Sequence, residues 1–157
     1  MAVRTERRAV IAPAYVRWGP VFAGAIIGLA ILFLANSLWM ALATGSDMDF
    51  VGRNVHWFGL ASALVALYAG GLIAGWMTGV RGIGAGLVTG LTVWGLVLIG
   101  TLVLGVPESL DVFGFTAAPL SEWGADPLWA TFWSLIGGLA VAVAGGTVGA
   151  GLPGYRE

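Results

Sequence analysis

The sequence predicts an all-α membrane protein, a four-transmembrane-helix bundle with both termini in the cytoplasm and packing mediated by Gly and Ala. Three observations predict it. Hydrophobic residues make up 59% of the 157 positions and charged residues only 10%, against about 25% charged in a soluble domain, and the mean hydropathy is +0.93. Four apolar runs are each long enough to cross the hydrocarbon, which takes about 20 residues. Glycine occurs 26 times with no collagen-like period, and in an apolar chain that frequency points to close helix–helix approach.

The first span runs from about Val21 to Ala43 and holds no charge. Pro20 falls in its first turn, where an N–H would have no partner inside the helix anyway. Gly45-Ser46-Asp47-Met48-Asp49 ends it. The second span covers about Trp57 to Met77, and Gly79-Val80-Arg81-Gly82 turns tightly into the third, about Ile83 to Val106. Pro107 ends the third helix and Pro127 starts the fourth, about Leu128 to Val148. Barrel strands are excluded because they alternate over about 10 residues, whereas these runs are uniformly apolar. The first run, at about 23 residues, also exceeds the 7–15 of a signal-peptide core, so it is expected to remain as a span despite Ala41-Leu42-Ala43 at its end. The organisation is then residues 1–17 as a cytoplasmic segment, 18–151 as the transmembrane domain and 152–157 as a cytoplasmic tail.

Arginine sets the orientation. Arg4, Arg7, Arg8, Arg17, Arg81 and Arg156 fall on one side of a four-span chain and only Arg53 on the other. Loops rich in Lys and Arg stay inside, so the majority side is cytoplasmic. Asp47, Asp49, Glu108, Asp111, Glu122 and Asp126 fall on the opposite side. Tryptophan, which favours the headgroup level, marks both borders: Trp18 and Trp76 on the inner one, Trp39, Trp57 and Trp129 on the outer one, with Trp133 a turn deeper and Trp94 mid-span.

Burying Leu between helices gains little when lipid is equally apolar, so association depends on small residues that let backbones approach. Helix one carries Gly24-x-x-x-Gly28. Helix two carries Ser62, Ala66, Gly70, Ala74 and Thr78, flanked by Gly71, Gly75 and Gly79. Helix three carries Gly82, Gly86 and Gly90, and helix four Ser134, Gly138, Ala142, Gly146 and Ala150. The packing candidates are therefore Gly24, Gly28, Gly70, Gly71, Gly75, Gly86, Gly90, Gly138 and Gly146. Helices two and four have the longest rows and are expected to make the tightest contacts, either within one bundle or between copies. Their Ala69-Gly70-Gly71 and Ala144-Gly145-Gly146 match, with Gly75 and Gly149 four residues beyond Gly71 and Gly145. This is the pattern of two tandem hairpins in the same orientation, or a coincidence of the kind an Ala/Gly-rich chain produces. The Pro107–Pro127 stretch is the longest outer loop and mixes acids with Leu110, Phe113, Phe115 and Trp123; it is expected to rest on lipid or cap the bundle.

Chemistry is sparse. No Asp, Glu, Lys or Arg lies within a predicted span, whereas pumps and ion-coupled transporters place ionisable groups there. There is no Cys, hence no disulfide, thiol nucleophile or Cys-ligated metal. Asn36, in the outer half of helix one, is the most polar group in a span, suited to hydrogen bonding between helices or to lining a polar site. His56 precedes Trp57 at the interface; it is a weak candidate to bind a haem or pigment, with no second His or Cys to complete a set. Asp47 and Asp49 offer too few oxygens for a hard cation. Gly82-Ile83-Gly84-Ala85-Gly86 opens an apolar helix with no strand before it, which does not suit a nucleotide. No catalytic residue, metal site or cofactor is expected, and no basic patch suits nucleic acid.

Arg17-Trp18-Gly19-Pro20-Val21-Phe22-Ala23-Gly24-Ala25 resembles the start of a group of small uncharacterised bacterial inner-membrane proteins, whose first helix opens with a W-G-x-x-x-A-G segment. Ala66-Leu67-Tyr68-Ala69-Gly70-Gly71-Leu72-Ile73-Ala74-Gly75 is similar to their second helix and Gly90-Leu91-Thr92-Val93-Trp94 to their third. The resemblance runs over the first two-thirds of the chain, and Pro20 replaces the usual small residue. It implies a multi-pass protein of the bacterial cytoplasmic (inner) membrane and carries no activity. The expectation is a non-enzymatic structural or interaction role, as an accessory subunit or self-associating bundle. Its partners would be the lipid bilayer and a homo-oligomer or larger membrane complex. The alternative is a channel or facilitator for small neutral or weakly polar solutes, lined by Asn36, Thr89, Thr92 and Thr101.

Overall fold

The computed structural model describes residues 16–45, 50, 53–104 and 125–153. Four long helices dominate them: α1 (Trp18–Gly45), α2 (Val55–Thr78), α3 (Ile83–Leu104) and α4 (Ala125–Gly151). All four are long and apolar enough to cross a membrane, which makes the chain a multi-pass membrane protein.

Three of the four helices overrun the apolar runs that predict them, for a physical reason, while α3 starts at the expected Ile83 and is described as far as Leu104. Apolarity marks the hydrocarbon, about 30 Å thick, while the polar headgroup layers extend the bilayer to about 40–45 Å. The 28 residues of α1 span about 42 Å at the usual rise, so its ends reach the headgroups. Both helices that carry a proline near the start begin two residues before it, α1 at Trp18 ahead of Pro20 and α4 at Ala125 ahead of Pro127. Each proline thus occupies the third helical position, still within the turn whose N–H groups have no intrahelical acceptor. α2 ends on Gly79, whose φ of 64° and N–H to the Trp76 carbonyl form a left-handed cap. A residue with a Cβ is strained in that conformation, so glycine permits the tight turn into α3.

The helices alternate in direction, so α1 and α3 run one way and α2 and α4 the other. The most extensive contact is between α2 and α4, followed by α1 with α2 and α3 with α4. α3 also leans on α2 and, least extensively, on α1. α2 is thus the central helix, taking part in the two most extensive contacts. The fully buried side chains are modest in size: Leu32, Leu67, Val21, Val93, Val97 and Thr101, joined by Ala25, Ala63, Ala66, Ala74 and Ala142. Large apolar groups point outward instead, among them Leu34, Ile83, Val103 and Trp133. That is inverted relative to a soluble protein, and it follows from lipid being a good solvent for Leu and Ile.

Arg17, the α2–α3 turn with Arg81, and Pro153 share one end of the bundle, and Arg53 lies at the other. At the shared end the Arg17 guanidinium donates to the Thr78 carbonyl at 2.7 Å, satisfying an acceptor that the last turn of α2 leaves open. The Trp76 indole N–H donates to the Pro153 carbonyl at 3.4 Å. At the opposite end, Trp39 stacks on Phe58 with ring centroids 4.5 Å apart. Its indole N–H donates to Ser62 Oγ at 2.8 Å, and that hydroxyl donates onward to the Phe58 carbonyl at 2.9 Å.

Candidate functional site

Glycines line the places where helices meet, and the atoms opposite them are mostly backbone. A Cβ added at Gly71 would fall on the Ala142 carbonyl and 3.1 Å from the Gly146 nitrogen; one at Gly75 would fall on the Gly146 carbonyl and 3.0 Å from the Ala150 nitrogen. From the other side, a Cβ at Gly145 would meet the Tyr68 carbonyl and the Leu72 nitrogen, and one at Gly149 the Leu72 carbonyl and the Trp76 nitrogen. Contact numbers rise together along α2 and α4, so these helices cross in parallel with their main chains touching.

Gly70 turns to a second neighbour. Its added Cβ would lie 2.7 Å from the Gly24 carbonyl of α1, while Gly24 faces the Gly70 carbonyl and the Ala74 side chain and Gly28 faces the Ala66 carbonyl at 3.2 Å. Adjacent glycines at 70 and 71, about 100° apart around a helix with 3.6 residues per turn, therefore serve two different partners. Between α3 and α4, Gly86 meets the Gly146 carbonyl at 2.7 Å and Thr147, Gly90 meets the Ala142 carbonyl and Val143, and Gly146 meets Gly86 and Gly90 in return. Gly138 faces side chains, Leu67 Cδ1 at 3.0 Å and Trp94 Nε1 at 3.5 Å.

All nine glycines singled out in the sequence thus face a neighbouring helix, while Gly82 and Gly84 face open space. Three others were missed. Gly145 and Gly149 belong to the α2–α4 seam, and Gly100 faces Leu29 Cδ1 of α1 at 2.9 Å. The four-residue spacing of Gly145 and Gly149 was a visible signal. It lies one residue off the Gly138–Gly146 row, on an adjacent strip of the same helix, and only the position of α2 selects it.

The hydroxyls of the buried Thr78, Thr89 and Thr101 bond within their own helix. Among the described residues the buried polar ones are Thr78, Thr89, Thr101 and Thr131. The Thr78 hydroxyl donates to the Gly75 carbonyl at 2.7 Å, Thr89 to Ala85 at 2.8 Å and Thr101 to Leu98 at 2.8 Å. These bonds fold back into the preceding turn. Thr92, half-buried, does the same with Val88. Two groups stand apart. Trp94 Nε1 is buried without a hydrogen-bond partner among the described residues. Asn36 is half-buried and its amide makes no hydrogen bond among the described residues. It sits nine residues before the end of α1, about 13 Å along the helix axis, below the headgroup layer.

His56 lies in the first turn of α2, and its side chain is outside the described residues, as are Asp47, Asp49 and residues 107–124 of the long outer loop. Among the described residues no three metal-binding side chains come together. No protein-family model, curated protein or solved structure matches the chain.

Proposed function

We propose that the chain is a non-enzymatic membrane scaffold of the bacterial cytoplasmic membrane, with both termini cytoplasmic, that works by associating laterally with another polypeptide. That partner is either a second copy or a subunit of a larger membrane assembly. The observation that supports this is Asn36. An amide in the hydrocarbon with no acceptor or donor partner costs free energy on the order of 2–7 kcal/mol, and amides in spans are met by groups on other helices. Asn36 makes no hydrogen bond to a described residue of this chain, so a helix from outside it is the fitting complement. The surrounding chemistry agrees: the described spans hold no charged side chain that would drive a pump or ion-coupled transporter. Placement in a bacterial inner membrane rests on the W-G-x-x-x-A-G resemblance, and the orientation on the arginine distribution.

The channel reading has less support. Of its four lining candidates, Thr89, Thr92 and Thr101 each spend their hydroxyl on their own helix, leaving little to replace a solute's hydration.

Purification in mild detergent followed by mass measurement tests the proposal. The expected result is a mass above that of one chain, or a stoichiometric partner, that is lost in Asn36→Leu while helicity is retained. A single-chain mass with nothing stoichiometric attached would overturn it. Liposome flux dependent on Asn36 would replace it with the channel.

A further inference from the structure

Two arginines stand together beside the α2–α3 turn, at the end of the bundle that Arg17 shares with Pro153. Arg17 is exposed, yet its guanidinium is held in place. One N–H donates to the Thr78 carbonyl at 2.7 Å, and the same nitrogen lies 3.9 Å from where a Cβ on Gly79 would stand. The planar fork carries five N–H donors in fixed directions. Beyond the one given to Thr78, they meet no acceptor among the described residues. Arg81 is also exposed and makes no hydrogen bond or ion pair with a described residue. It follows Thr78 by three residues, so the two Cα atoms are at most about 11 Å apart, and the turn keeps the second guanidinium close to the first. No carboxylate answers them nearby: the one acid among the described residues, Asp126, opens α4 at the opposite end.

Two tryptophans flank the pair. Trp18, next to Arg17, is more than half exposed, and its indole N–H has no partner among the described residues. Trp76 lies in the last turn of α2 with its ring partly exposed and its N–H on the Pro153 carbonyl. Such rings settle at the headgroup level, which puts the guanidiniums at the depth of lipid phosphates. The exposed side chains around them are apolar, among them Phe22, Met77, Ile83 and Leu87.

We propose that this end of the bundle binds an anionic phospholipid, whose phosphate is shared between Arg17 and Arg81 and whose acyl chains lie on the apolar side chains around them. A guanidinium fork matches the paired oxygens of a phosphate, and basic pockets between transmembrane helices take anionic headgroups. A zwitterionic lipid brings its own ammonium to the same place and is disfavoured there. The inference needs only that the chain spans a membrane. It is independent of Asn36, of lateral association and of the side of the membrane on which this end lies.

The test reconstitutes the full chain into vesicles of phosphatidylcholine with a minor fraction of phosphatidylglycerol, extracts it in mild detergent and counts the retained lipids by native mass spectrometry. Phosphatidylglycerol is expected to be retained well above its share of the vesicle. Arg81→Gln, which breaks no contact with a described residue, is expected to lower that enrichment about fivefold. Arg17→Gln should lower it at least as much, and Arg17→Lys, which keeps the charge without the fork, should fall between. Arg53→Gln removes the same charge at the other end and should leave the enrichment unchanged. Retention at the vesicle's own ratio would overturn the inference. So would an enrichment that survives Arg81→Gln, or one that falls equally in Arg53→Gln, the mark of general charge attraction. Excess inorganic phosphate, compared with chloride at equal ionic strength, is expected to leave the lipid in place; displacement would assign the site to free phosphate and overturn the lipid.

Discussion

Two parallel helix pairs in this bundle are built from the same residue types and behave differently. Where α2 meets α4, glycine faces main chain: the Ala142, Gly146, Tyr68 and Leu72 carbonyls occupy the positions that side chains of Gly71, Gly75, Gly145 and Gly149 would need. Where α1 meets α3, Gly100 faces the far end of a flexible side chain, Leu29 Cδ1. A carbonyl held in a helix cannot retreat without moving the helix, whereas a leucine methyl can change rotamer. A small residue is therefore a strict requirement at the first contact and a preference at the second. The composition of the two helix pairs does not show this; the identity of the opposing atom does.

Four substitutions break or sharpen that contrast, each read as the thermal midpoint and homogeneity of the purified protein in mild detergent. Gly71→Leu carries the largest effect. Overpacking costs about 1–3 kcal/mol where neighbours can adjust, and against two backbone atoms the loss exceeds that range, so the protein is expected to aggregate or lose its cooperative transition. Gly71→Ala adds a single carbon at the same place and is expected to destabilise by about 2 kcal/mol. A neutral outcome would show that α2 and α4 stand further apart than backbone contact between Gly71 and Ala142 requires. Gly100→Ala should cost less than about 1 kcal/mol, and shortening Leu29 to Ala in the same chain should remove the penalty. If the double variant were worse than the sum of the two, α1 and α3 would be meeting through backbone after all. Gly95→Ala faces open space and should be neutral or stabilising by about 0.5–1 kcal/mol, the gain of Ala over Gly in a helix.

Much of this was legible in the sequence. Length and apolarity locate the four spans because the hydrocarbon imposes both, and the turn at Gly79–Gly82 is legible because few residues other than glycine adopt its dihedral angles. The spacing of Gly24 and Gly28, of Gly71 and Gly75, and of Gly86 and Gly90 marks close contact, because four residues return a helix to nearly the same face. The contact partners were not legible. Gly70 and Gly71 are neighbours in the chain yet serve α1 and α4 separately, and nothing local distinguishes them. Gly145 faces α2 alone, whereas its neighbour Gly146 meets both α2 and α3. Trp39 is readable as an interfacial aromatic, but its hydrogen bond to Ser62 depends on the register of α1 against α2, which side-chain identity does not encode. Asn36 announces itself as the one amide in a span; its lack of a partner emerges only once the neighbouring helices are in place.

At the Arg17 end, the start of α1 and the end of α4 both grip the last turn of α2, through the Thr78 carbonyl and the Trp76 indole. Those two grips bring positions 17 and 153 to a common helix. A circular permutant that joins them by a short polar linker and opens the chain in the 79–82 turn would leave every interhelical contact in place, with α3 now leading and α2 trailing. The order in which the hairpins leave the ribosome is then a free variable, and biogenesis can be varied while the finished architecture is held constant.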